Sequence, residues 1–263
     1  MRRIVLVGMG WLGAPLGVAL MAKGYRVTGT TRSTDKATRL ASSGAEVVVW
    51  QAEQGPLPLS LQGAELVITL PPSAVDDYPL RVEQLVQQAH RQGSRRVLLV
   101  SSTGVYGQQD EGLESVAPQP DSPRGACLLA AEQRLASGGM PWLIVRPAGL
   151  IGPGRHPARF LSGKVTSGGG APVNLVHQED VIRFITALLE QGQQNAIFNL
   201  CSPDHPTRRQ FYVAACERQG LPLPVFADDV AQGKQIAGQH IVKVTGCAYH
   251  VSDLMQWLES VTE

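Results

Sequence analysis

The 263-residue chain has only four cysteines, Cys127, Cys201, Cys216 and Cys247, and no two of them form a CxxC pair. They read as structural thiols of a reducing, cytoplasmic compartment. The six histidines do not cluster at metal-ligand spacing, so no metal is expected. An excess of charge of either sign is missing as well: 23 Lys and Arg stand against 22 Asp and Glu, a formal net charge of +1. Such a balance leaves no electrostatic footprint for nucleic acid or an anionic membrane, and neither is expected as a partner. There is no tandem repeat, and low complexity is confined to the glycines at 168–170. A long apolar run is absent too. The first run, at 4–7, breaks into glycines and Pro15 with no A-x-A site following, which argues against a secretory leader and against a membrane helix.

What is present begins at that break. Residues 4–7 read as a strand entering a turn with Gly8, Gly10 and Gly13. Leu12, Leu16, Ala19 and Leu20 then recur at helical spacing, Gly24 ends the helix, and 25–30 read as a second strand. In a strand–turn–helix–strand unit of this kind, a dinucleotide pyrophosphate approaches backbone amides at the helix N-terminus. Gly8 serves the tight turn, Gly10 clears a path for phosphate, and Gly13 lets the helix pack on the strand. Trp11 and Leu12 lie in the same turn and are expected to contact the cofactor with it.

The end of the second strand selects among dinucleotides. An NAD site carries Asp or Glu there, to accept hydrogen bonds from the ribose hydroxyls. This chain has Thr30, Thr31, Arg32, Ser33 and Thr34, with no carboxylate before Asp35. Thr31, Arg32 and Ser33 suit a ribose 2′-phosphate, which an acid would repel. NADP(H) is therefore expected, with NAD(H) as the alternative. Arg32 as an ordinary solvated charge and Ser33 as a helix cap are compatible with either.

Strands at 46–50, 65–70, 95–101 and 142–145 alternate with helices at 33–42, 79–91 and 124–137. That rhythm predicts an α/β protein, a doubly wound parallel-sheet Rossmann fold with a smaller C-terminal substrate lobe. The ligand should then lie beyond the C-terminal strand ends, at 8–13, 30–34, 70–73, 101–107 and 146–153. Pro71, Pro72, Ser73 and Ser101 join the expected cofactor contacts on that ground. Beyond Gly152 prolines punctuate the pattern, between a strand at 173–176, a helix at 179–190, a strand at 196–200 and a helix at 207–219. The expected division is a dinucleotide-binding domain at 1–150 and mainly a substrate lobe at 151–263, with 173–200 returning to the Rossmann sheet.

Four further segments carry a family resemblance: VLLVSSTGVYG at 97–107, RPAGLIGPGRHP at 146–157, VNLVHQEDV at 173–181 and IFNLCSPDHPTRRQFY at 197–212. Their sequence and order resemble the extended short-chain dehydrogenase/reductase superfamily, the group of NAD-dependent epimerases and dehydratases. The tight GMGWLG turn resembles an atypical subgroup of it. The resemblance implies a nicotinamide cofactor, a small-molecule substrate, a family Ser or Thr, and a Tyr–Lys pair spaced four apart on one helix. It also implies that dimers can form through paired helices, for which 81–91 and 124–137 are the candidate faces.

Ser102 matches the family hydroxyl. Counting back from Glu132, in LAAEQRL, puts Leu128 at the Lys position and Arg124 at the Tyr position, and 107–140 contain no tyrosine. Tyr106 is left as a candidate acid or base, against a structural role in the VYG turn. Arg124 can hydrogen-bond a carbonyl or phosphate but cannot act as a base. Thr103, Arg146, Arg155 and His177 are the candidate substrate contacts; Arg146 reads equally as half of a salt bridge. His177 and Asp180 lie one turn apart, with Asp180 expected to pin its helix. Two functions follow. One is an NADP(H)-dependent oxidoreductase or epimerase/dehydratase-like enzyme for a polar hydroxy, keto or nucleotide-sugar-like substrate, lacking the family pair. The other is an inactive NADP(H)-binding sensor or scaffold.

Overall fold

The computed structural model describes residues 2–42, 44–109 and 111–261. The chain opens with β1 (Arg3–Val7), α1 (Gly13–Ala22), β2 (Arg26–Thr31), α2 (Thr34–Ala41), β3 (Glu46–Val49) and β4 (Ala64–Ile68). α3 (Tyr78–Arg91), β5 (Arg96–Val100), the short β6 (Glu111–Gly112), α4 (Pro123–Ala136) and β7 (Trp142–Pro147) follow. After them come β8 (Gly149–Ile151), α5 (Ala158–Leu161), β9 (Val165–Thr166), β10 (Leu175–His177), α6 (Gln178–Glu190) and β11 (Ala196–Leu200). α7 (Arg208–Arg218), β12 (Val225–Phe226), β13 (Gln235–Ile236), α8 (Gln239–Thr245) and α9 (Leu254–Ser260) complete it.

Seven strands form the central sheet in the order β11-β7-β5-β4-β1-β2-β3, every neighbouring pair parallel. β4 and β7 are buried along their length apart from Trp142, so they read as continuous apolar runs rather than alternating ones. α1 packs with α6 and α3 with α4. Right-handed crossovers from β1, first toward β2 and then back toward β4, put those two layers on opposite faces. This is the expected α/β doubly wound sheet. The order reverses between β1 and β4, and a crevice opens there beyond the strand ends.

Helix starts follow local chemistry. Ser33, Asp77 and Ser122 cap α2, α3 and α4 by accepting amides of the first turn. Thr207 and Gln210 form a reciprocal capping box at α7. Of the segment 173–200, β11 lies in the central sheet beside β7. The strand expected at 173–176 departs from its expectation: it forms at Leu175–His177 and pairs with β8 in a two-stranded sheet of its own. The chain leaves the central sheet after Pro147, and β10 follows β8 away from it. Ile151, Leu175, Phe211, Cys216, Leu254 and Leu258 belong to a second, smaller apolar cluster, separate from the core around the sheet.

Candidate functional site

A cleft of about 550 Å³ occupies the crevice over the C-terminal strand ends. Gly8, Gly10, Trp11, Leu12 and Gly13 line it from β1, and Thr30, Thr31, Arg32, Ser33 and Lys36 from β2. Trp50 and Ala52 close the side beyond β3; Thr69, Leu70, Pro71, Pro72 and Ala74 follow β4. Val100, Ser101 and Ser102 follow β5, with Arg124, Leu128, Pro147, Leu150 and Arg155 at the far end.

The glycine turn is held from both sides. Thr30 accepts the Gly8 amide at 3.2 Å through its hydroxyl and the Met9 amide at 2.7 Å through its carbonyl. The Thr69 hydroxyl donates to the Gly8 carbonyl at 2.6 Å. Gly8 sits at φ +101°, a conformation side chains rarely adopt. The N-terminus of α1 has no side-chain cap and no acidic residue in its first turn. An uncapped helix start of this kind favours an anion. A Cβ built on Gly10 meets nothing nearer than the Gly8 carbonyl oxygen at 3.9 Å, so the space over the turn is open. These residues fit a dinucleotide pyrophosphate.

At the end of β2, Arg32 is exposed and makes no side-chain hydrogen bond or ion pair among the described residues. The Ser33 hydroxyl accepts the Lys36 amide at 3.2 Å, which leaves its proton free to donate. Capping therefore brings the first turn of α2 round so that Lys36 faces the cleft beside Arg32. Sequence reasoning missed Lys36, Thr69 and Trp50. Lys36 had a signal, its place three residues after a Ser cap. Trp50, directly after β3, had none beyond position.

Five expected site residues lie away from the cleft wall. Ser73 is exposed on the outer side of the 3-10 turn Pro72–Ala74, and its neighbour Ala74 lines the cleft instead. Thr103 and Tyr106 are buried in the 3-10 turn Thr103–Tyr106. The Tyr106 hydroxyl donates to Asn199 Oδ1 at 2.9 Å and accepts from Arg146 at 2.8 Å. Burial raises its pKa above that of an ordinary phenol, with Arg146 and Asn199 only partly opposing. The acid–base role considered for Tyr106 is thus corrected: the phenol is fully covered and held neutral.

Arg146 is corrected in the same way, in favour of the salt bridge. Its guanidinium donates to both Glu132 oxygens, at 3.0 and 2.5 Å, and each side chain is only 2% exposed. The Ser101 hydroxyl donates to the same carboxylate at 2.5 Å. Burial alone would lower the Arg146 pKa; Glu132 and Tyr106 outweigh it and raise it.

His177 is the fifth. It caps α6 by accepting the Glu179 amide and lies 5.6 Å from the Trp257 ring, in a separate pocket of about 320 Å³. Asp180 pins the chain beyond α8 by accepting the His250 and Val251 amides at 2.6 and 3.0 Å. Burial lowers the His177 pKa from its ordinary 6.5, against Glu179 and Asp180 and with His250. The unfolded imidazole takes a proton near pH 6.5 and the folded one resists it, so this contribution to stability is complete above pH 6.5 and lost as the pH falls. His177→Asn should therefore flatten the fall in unfolding midpoint below pH 6.5; urea titrations at stepped pH measure it.

Trp11 joins the glycine turn to the loop after β8. Its indole N–H donates to the Pro153 carbonyl at 2.8 Å, Gln178 donates to its carbonyl at 2.7 Å, and the Arg155 guanidinium lies 5.4 Å over its ring. Arg124 stands in the first turn of α4 with Leu128 one turn on, both on the cleft wall with Ser102.

Residues 8–192 match the NAD(P)H-binding family. Protein YeeZ of Escherichia coli strain K12 is 36% identical over 96% of this chain and 97% of its own length. A conserved protein of unknown function from Silicibacter pomeroyi superposes with a TM-score of 0.82 at 27% identity, over 99% of this chain and 98% of its own. The UDP-glucuronic acid 4-epimerase of Bacillus cereus, solved with NAD, shares the fold with a TM-score of 0.81 at 17% identity, over 98% and 94% of the two chains. With its seven-stranded parallel sheet and glycine turn, the chain belongs to the NAD(P)H-binding family.

Proposed function

We propose that the cleft binds NADP(H) and that the protein is an oxidoreductase or epimerase/dehydratase-like enzyme acting on a polar hydroxy or keto substrate. The observation that carries this reading is the pairing of an open, uncapped amide turn at Gly10 with Arg32 after β2 and Lys36 in the first turn of α2, and no carboxylate among the described residues of the cleft wall. The α1 amides would hold the pyrophosphate, Arg32, Lys36 and the Ser33 hydroxyl the 2′-phosphate, and Trp50 and Ala52 the adenosine side. When bound, NADP(H) supplies or accepts a hydride. Ser102 would orient the reacting oxygen. With Tyr106 buried and Arg124 and Leu128 at the family pair's positions, no side chain among the described residues at that end takes a proton, so water or the substrate itself would do so. The same fact favours a second reading, a cofactor-binding sensor without turnover.

Trp11 and Trp50 both line the cleft, so NADP(H) binding should quench tryptophan fluorescence. Arg32→Asp should weaken NADP(H) on the order of a hundredfold, by removing a charge-assisted contact and adding repulsion. NAD(H) should change less than threefold. Equal losses for the two cofactors would remove the 2′-phosphate assignment. A hydride-transfer screen over hydroxy, keto and nucleotide-sugar compounds separates enzyme from sensor: NADP(H) binding without turnover of any of them favours the sensor.

A further inference from the structure

Among the described residues, four cations line the cleft and no acid does. Arg32 and Lys36 stand at the end of β2, whereas Arg124 stands beyond β5. β2 and β5 are three places apart in the sheet, about 14–15 Å at ordinary strand spacing. A phosphate held at Arg32 therefore leaves Arg124 without a counter-charge. Arg124 makes no hydrogen bond or ion pair among the described residues. Its side chain is exposed but lines the cleft wall, and the start of α4 that carries it is pressed onto the turn that carries Ser102. A Cβ on Gly125 would come within 2.6 Å of the Gly104 carbonyl oxygen. In that turn, Ser102 Oγ accepts the Gly104 amide at 3.1 Å, which leaves the hydroxyl proton to point elsewhere. Leu128, 2% exposed, backs the same wall with an apolar surface.

This end of the cleft thus offers a guanidinium fork, which can only donate, beside a hydroxyl whose proton is free. An uncompensated guanidinium favours an ionised oxygen group over a neutral sugar hydroxyl. We propose that Arg124 forms an oxyanion subsite, which takes a carboxylate or phosphate group of the substrate beside the bound cofactor and next to the reacting oxygen that Ser102 orients. The guanidinium fork matches two oxygens of either group. The subsite rests on the reading of the cleft as an NADP(H) site and adds to it the charge of the substrate.

The test is calorimetric titration of the NADP+-saturated protein with malonate, with inorganic phosphate and with neutral erythritol, at constant ionic strength. One or both anions should bind at one per chain, and erythritol should not. Arg124→Met should weaken the anion about ten- to hundredfold, the scale of a charge-assisted contact, and leave NADP+ affinity unchanged. Arg124→Lys should recover part of the loss. Arg134→Met, at the exposed far end of α4, should have no effect. Tighter malonate identifies a carboxylate substrate, and tighter phosphate a phosphate ester. Normal NADP+ binding with no anion binding, or with equal anion binding in Arg124→Met, overturns the subsite alone. Failure to bind NADP+ overturns the cofactor reading and the subsite together.

Discussion

Glu132→Ala should lower the unfolding free energy by about 3–5 kcal/mol, the usual cost of leaving one half of a buried ion pair uncompensated. Glu132 accepts from Ser101 and from two nitrogens of Arg146. Arg146 in turn donates to Tyr106, Tyr106 to Asn199 Oδ1, and Asn199 Nδ2 to the Gly112 carbonyl at 3.0 Å. The chain of contacts runs from the cleft floor through α4, β7 and β11 to β6. Removing the carboxylate strands a guanidinium that is 2% exposed and leaves the Ser101 hydroxyl without its acceptor. Urea unfolding followed by circular dichroism measures the loss as a fall in midpoint at unchanged slope. The double variant Glu132→Leu with Arg146→Met should regain most of it, because an apolar pair of similar volume carries no desolvation cost. A loss below about 1 kcal/mol in Glu132→Ala would mean that water or another group already serves Arg146.

That network also marks where sequence reading stops. The fold was legible because its signals are local: the glycine turn, the alternation of apolar runs with helical periods, and the cap at Ser33. The wall of the cleft after β1 and β2 was legible for the same reason, since Gly8 through Gly13 and Thr31 through Ser33 are short contiguous segments. The region after β5 and β7 was not. Arg146 lies on a strand buried on both faces, so no alternation says which way it points. Its partners Glu132 and Tyr106 are 14 and 40 residues away, and Asn199 is 93 residues from Tyr106. Such pairings are fixed by packing rather than by neighbours in the chain. Ser73 and Ala74 show the limit at the smallest scale, because one 3-10 turn decides which of two adjacent residues meets the cleft. β10 is three residues long and carries too little pattern to reveal that it pairs outside the main sheet.

Gly10→Ala and Gly13→Ala, two residues in one turn, should fail in opposite ways, and Gly10→Ala should give the larger loss of binding. The Cβ of an alanine at 10 has open space on the protein side, the nearest heavy atom being 3.9 Å away. The variant should keep its unfolding midpoint. That methyl group would stand where the proposed pyrophosphate must approach the α1 amides, and losing two charge-assisted amide contacts weakens NADP(H) on the order of a hundredfold or more. At Gly13 the added carbon has no such freedom. It would collide with the Gly8 carbonyl oxygen and come within 2.8 Å of Thr69 Oγ1. The helix must then move off β1, at a cost of about 1–3 kcal/mol for overpacking, and the Thr69–Gly8 hydrogen bond moves with it. Thermal unfolding without ligand and tryptophan quenching by NADPH separate the two effects. Unchanged NADPH affinity in Gly10→Ala, with the fold intact, would take the pyrophosphate away from this turn. Unchanged stability in Gly13→Ala would show that α1 is not seated on β1 as closely as that contact requires.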